Sequence, residues 1–90
     1  MKNRYTITFK GHVQGVGFRY TTVNVAQGFD VAGWVRNEPD GSVKCVAEGE
    51  PETIERFIET VKHTMAGHLS NVEVQSSAAT GEFRGFGVRR

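Results

Sequence analysis

The sequence is nearly without cysteine, proline and net charge, and it has no long apolar run. Cys45 is its single cysteine, which excludes an internal disulfide and a cysteine-based zinc site. Its place in an alternating segment suits a small apolar strand residue better than a reactive thiol. Eleven Lys and Arg stand against ten Asp and Glu, a net charge of +1, so there is no broad basic field to hold nucleic acid. No apolar stretch approaches the roughly 20 residues of a membrane span. The opening MKNRYTITFKG also lacks the apolar core of a signal peptide. These absences point to a soluble cytoplasmic protein. Residues 1–90 read as one domain. A chain of this size buries roughly 60–65% of its unfolded surface, enough for a single two-layer core.

What is present is periodicity. Residues 4–10 alternate, with Tyr5, Ile7 and Phe9 on one face, as in a half-buried strand. FRYTTVNVAQG (18–28) is rich in β-branched residues, poor helix formers. Its Phe18, Val23 (or Thr22) and Ala26, with Phe29 beyond, nevertheless recur at helical spacing, and Gly28 suits a C′ position; the segment predicts a helix. VAGWVRN (31–37) and SVKCVAE (42–48) are two strands. The EPDG between them makes a hairpin, with Pro39 presetting φ and Asp40-Gly41 completing the turn. Pro51 fits the first position of a second helix, whose Ile54, Phe57, Ile58, Val61 and Met65 form one stripe and which Gly67 ends. NVEVQSS (71–77) is a further strand, and the closing FGVRR predicts a short fifth. The order β-α-β-β-α-β predicts an α+β protein, a ferredoxin-like two-layer sandwich with an antiparallel sheet.

Between the first strand and first helix lies GHVQGVGFR, Gly11 to Arg19. A strand that turns sharply into a helix leaves several N–H groups unpaired. Glycines let such groups converge into an anion nest, and the helix dipole adds to the same potential. Gln14, Gly15, Val16, Gly17 and Phe18 would supply the donors, and Arg19 a planar fork for two phosphate oxygens. Glycines alone could serve a tight turn; with the strand, helix and arginine they make a phosphate cradle. Neither a Walker A loop nor a dinucleotide fingerprint fits, because Phe18, Arg19 and Tyr20 follow Gly17. In a β-α-β unit the two strands run parallel, so Asn37, ending the second, lies on the cradle's edge of the sheet, roughly 10 Å across if one strand intervenes. A side-chain amide there can hold a water molecule, although Asn before Pro-Asp-Gly is also a common turn residue.

These residues resemble the acylphosphatases over essentially the whole chain. One signature is Gly11-His12-Val13-Gln14-Gly15-Val16-Gly17-Phe18-Arg19; the other is Gly33-Trp34-Val35-Arg36-Asn37, then Asp40-Gly41-Ser42-Val43 and Gly49. The resemblance implies a hydrolase of small acyl phosphates that needs no metal or cofactor and releases a carboxylate and inorganic phosphate; the expected state is a monomer. Carried over, Arg19 binds the phosphoryl group, Asn37 orients the attacking water, and the amides of Gln14 to Phe18 complete the phosphate site. Glu38, beside Asn37, departs from what an anion site invites.

His12, His63 and His68 share no ligand spacing and read as solvent-exposed residues. RGFGV, Arg84 to Val88, imitates the start of an RNA-recognition octapeptide, but that octapeptide belongs on a third strand, not the last. A module that only senses a phosphorylated metabolite would use the same cradle.

Overall fold

The computed structural model describes Met1–Arg90. Alternation carries the first strand, β1, over Asn3–Gly11, with Ile7 and Phe9 fully buried. Helix α1 spans Phe18–Ala26 and buries Phe18, Thr22 and Ala26. Thr22 is fully buried, while Val23 packs against the core only in part; the Thr22 hydroxyl donates to the carbonyl of Phe18 at 2.8 Å, which satisfies the polar group where it is buried. A nine-residue helix rich in β-branched side chains has little stability of its own, so α1 exists through this packing. Gly28 follows the helix end, its N–H 3.0 Å from the carbonyl of Val25, but without a left-handed φ.

Strands β2 (Ala32–Asn37) and β3 (Val43–Gly49) form the expected hairpin. Helix α2 spans Pro51–Thr64, with Pro51 in its first turn and Ile54, Phe57, Ile58 and Val61 buried. It stops before Gly67, which falls in a 3-10 turn over Ala66–His68. Strands β4 (Leu69–Ala78) and β5 (Phe86–Val88) follow. The spatial order is β4-β1-β3-β2-β5. Both helices lie on one face, where they bury Ile7, Phe9, Val35, Val43 and Cys45. Burial pushes the Cys45 thiol far up, so it stays protonated and inert.

The sheet is mixed, not antiparallel throughout: β5 runs parallel to β2. The reason is where β4 ends. Ala78 pairs with Asn3, at the start of β1 and far from the cradle. The link 79–85 crosses at that end, so β5 must run back in the direction of β2. The link is fastened by Glu48 of β3, whose carboxylate accepts from Arg4 Nε (2.8 Å), Thr80 N (2.9 Å) and Gly81 N (3.0 Å). Burial by itself would raise the Glu48 carboxyl; the Thr80 amide, Arg4 guanidinium and Gly81 amide outweigh it and hold the group at about 2.

A carboxyl depressed in the folded state stabilises the fold above its unfolded pKa, and that contribution is lost as pH falls toward the folded value. Urea denaturation should therefore show wild-type stability declining as pH drops from about 4.5 to about 2. Glu48→Gln should cost roughly 2 kcal/mol at pH 7 and flatten that decline; an unchanged profile would contradict the role given to Glu48.

Candidate active site

The cradle begins where β1 ends. Gly11 closes β1 at a register shift against β4 and lies outside the turn itself. Val13 and Phe18 are each 1% exposed, so both ends of the turn are pinned in the core. The Phe18 ring packs on Phe9 with centroids 4.9 Å apart. Between these anchors φ alternates in sign: Gly15 at 78° and Gly17 at 76° are left-handed, and no non-glycine residue is. Successive residues of alternating hand aim their N–H groups into one concavity. No amide from Gln14 to Arg19 donates a hydrogen bond to another backbone group; the first to do so in α1 is Thr21, bonded to Gly17 at 3.0 Å.

The helix start is left uncapped. Gly17 occupies the N-cap position, and no side chain bonds the free amides of α1. A Ser or Asp there would satisfy those donors from within the chain and fill the concavity with its own oxygen. Arg19, in the first turn of α1, is half-buried and has no carboxylate partner. The ion pairs of the protein engage Arg4 and Arg36 but leave Arg19 out.

Asn37 ends β2 on the face it shares with buried Gly33 and Val35, the helix-covered face. With β3 between β1 and β2, the cradle and Asn37 stand at one edge of the sheet, as the parallel arrangement requires. The Asn37 Oδ1 is buried and accepts no hydrogen bond. A buried acceptor without a partner costs about 1–3 kcal/mol, so its retention asks for a reason other than folding.

Glu38 brings less negative charge to this edge than its position suggests. Its carboxylate accepts from Arg36 Nε at 2.7 Å. The Arg36 guanidinium in turn lies 4.8 Å from the centroid of Trp34, on the open face of the sheet. A polar hollow of about 430 Å³ is lined by Thr6, Thr8, Lys44 and Gln75 of that open face and by Glu38, Asp40 and Ser42 of the β2–β3 turn.

The side chain of Gln14 carries a connection that single-sequence reading missed. It reaches across to the β2–β3 turn, donating to the carbonyls of Glu38 (2.8 Å) and Ser42 (2.9 Å). Of the three histidines expected to be exposed, only His68 departs. His12 and His68 come together, rings 6.1 Å apart and the His12 N–H on the His68 carbonyl at 2.8 Å. His68 is half-buried, while His12 and His63 are exposed. No group of three or more His, Cys, Asp or Glu is placed to hold a metal ion. In RGFGV, Phe86 packs edge-on against Phe57 of α2, centroids 5.5 Å apart, so it is unavailable for stacking a base on the open face.

The family model described as Acylphosphatase matches residues 5–88. An acylphosphatase of Methanospirillum hungatei is 42% identical, over 97% of this chain and 97% of its own. One of Lactobacillus gasseri is 44% identical, over 92% and 96%. The crystal structure of acylphosphatase from Bacillus subtilis superposes with a TM-score of 0.87 at 32% identity, covering 98% of this chain and 99% of that one.

A Cβ at position 17 would meet nothing within 4 Å, so Gly17→Ala meets only the left-handed backbone. It should lower stability by about 1–2 kcal/mol and weaken inhibition by inorganic phosphate. Denaturant titration together with phosphate inhibition checks this; unaltered phosphate affinity would contradict the cradle geometry.

Proposed function

The chain belongs to the acylphosphatase family, and we propose that it hydrolyses the carboxyl–phosphate anhydride of small acyl phosphates at the cradle of Gln14 to Phe18. The phosphoryl oxygens sit among the main-chain amides, and Arg19 grips two of them with its planar fork. Asn37 holds a water molecule in line with the bond to the leaving carboxylate. The water oxygen bonds to phosphorus as the bond between phosphorus and the acyl oxygen breaks. The electron pair of that bond leaves with the carboxylate, and the water proton ends on a phosphoryl oxygen. The products are a carboxylate and inorganic phosphate.

A carboxylate is a weak base and departs without being protonated, so the step needs no general acid. Catalysis then rests on holding the water in position and on donors aimed at the charge that spreads over the phosphoryl oxygens. The observation that carries this reading is the uncapped run of amides beside Arg19. The unpartnered Oδ1 of Asn37 at the same edge supports it. No helix is long and apolar enough to cross a membrane. We take residues 1–90 as one catalytic unit, a cytoplasmic monomer that uses neither metal nor cofactor and binds no nucleic acid.

Purified protein should hydrolyse acetyl or benzoyl phosphate in excess chelator. Arg19→Ala should lower kcat/KM by on the order of 10³-fold. Asn37→Ala should lower kcat by on the order of 10²–10³-fold. Both variants should keep wild-type circular dichroism. Phosphate binding without any turnover would replace hydrolysis by metabolite sensing.

A further inference from the structure

Both protons of the Gln14 side-chain amide are committed to main-chain carbonyls, those of Glu38 at 2.8 Å and Ser42 at 2.9 Å. Because both partners can only accept, the nitrogen end of the amide is assigned by its surroundings. Glu38 and Ser42 are the two legs of the β2–β3 turn. The Glu38 N–H bonds the Ser42 carbonyl at 2.9 Å, and the Gly41 N–H bonds the Glu38 carbonyl at 3.1 Å. Asp40 Oδ1 accepts from the Ser42 N–H at 2.9 Å and from its hydroxyl at 2.6 Å. The turn that Gln14 grasps is therefore stiff, and one of its legs is covalently joined to Asn37.

The backbone ties the strand that leads into the cradle to Asn37 only through β3, where Phe9 and Asn37 both pair with Val43. β1, which leads into the cradle, and β2, which carries Asn37, are not neighbours, because β3 lies between them. No backbone hydrogen bond joins residues 12–19 to residues 37–42.

We propose that Gln14 is a positioning residue whose side chain sets the separation between the phosphate cradle and Asn37, and so the line of attack of the water. The inference rests on the assignment of Asn37 and the cradle made under Proposed function. Binding of phosphate needs only the cradle and Arg19. Turnover needs the cradle and Asn37 in register, where a displacement of about 1 Å can cost on the order of 10²-fold.

The test compares wild type, Gln14→Leu, Asn37→Ala and the double variant for kcat and KM on acetyl phosphate and for inhibition by inorganic phosphate. Gln14→Leu is expected to lower kcat about tenfold or more while the phosphate inhibition constant moves by less than about threefold. In the double variant the leucine should add nothing to the loss caused by Asn37→Ala. If the two losses multiply, or if Gln14→Leu keeps wild-type kcat, Gln14 does not act through Asn37 and the inference fails while the assignment of Asn37 stands. If Asn37→Ala alone keeps wild-type kcat, that assignment fails and takes the inference with it. Gln14→Glu serves should the leucine variant not fold. Its ionised carboxylate repels both carbonyls, whereas the protonated form donates to one. Its turnover relative to wild type should rise as pH falls, and a ratio independent of pH would overturn the inference.

Discussion

A helix that starts without a cap, after two left-handed glycines, leaves its first amides unsatisfied by the fold. A capping side chain at position 17 would be worth only about a few tenths of a kcal/mol over glycine to α1. The chain forgoes it at the start of its weaker helix, nine residues long and rich in β-branched side chains. What keeps the turn in one shape is packing on either side. Val13 and Phe18 are sunk in the core, Phe18 rests on Phe9, and Gln14 is tied to the opposite hairpin. The amides themselves are then free to serve a ligand rather than the fold.

The two faces of the sheet divide the remaining work. The helix-covered face holds the core, and at its edge stand Arg19 and Asn37. The open face holds a polar scaffold in which Arg36 and Arg89 flank Trp34, their guanidinium carbons 4.8 Å and 4.5 Å from its ring centroid. On the same face Glu48 fastens the return of the chain to β5. Glu38 joins these parts. Its carboxylate is drawn to Arg36 and its carbonyl to Gln14, so a residue whose charge opposes an anion site instead ties the hairpin to the cradle.

Much of this is legible in the chain because local periodicity is strong where it matters. Tyr5, Ile7 and Phe9 mark β1, and Ile54, Phe57, Ile58 and Val61 mark α2, each by spacing alone. In α1 the choice between Thr22 and Val23 stays open in the sequence, since only the structure shows the Phe18 carbonyl waiting for a hydroxyl. The direction of β5 is not legible either. Three residues carry no directional signal, and the link that decides it is held by Glu48, 32 positions from Thr80. For the site, the glycine spacing, Arg19 and Asn37 stand out. The Gln14 side chain does not, because its partners lie 24 and 28 positions away and are backbone carbonyls, which leave no mark on residue identity.

In the proposed reaction main-chain amides, together with one guanidinium, hold the phosphoryl group. Amide proton and nitrogen shifts of the folded protein, followed during titration with inorganic phosphate, test it most directly. The amides of Gln14 to Arg19 are expected to move together along a single binding curve, with the Asn37 side-chain amide responding at the same concentrations. Unmoved cradle amides, or shifts confined to the exposed arginines Arg84, Arg89 and Arg90, would contradict it.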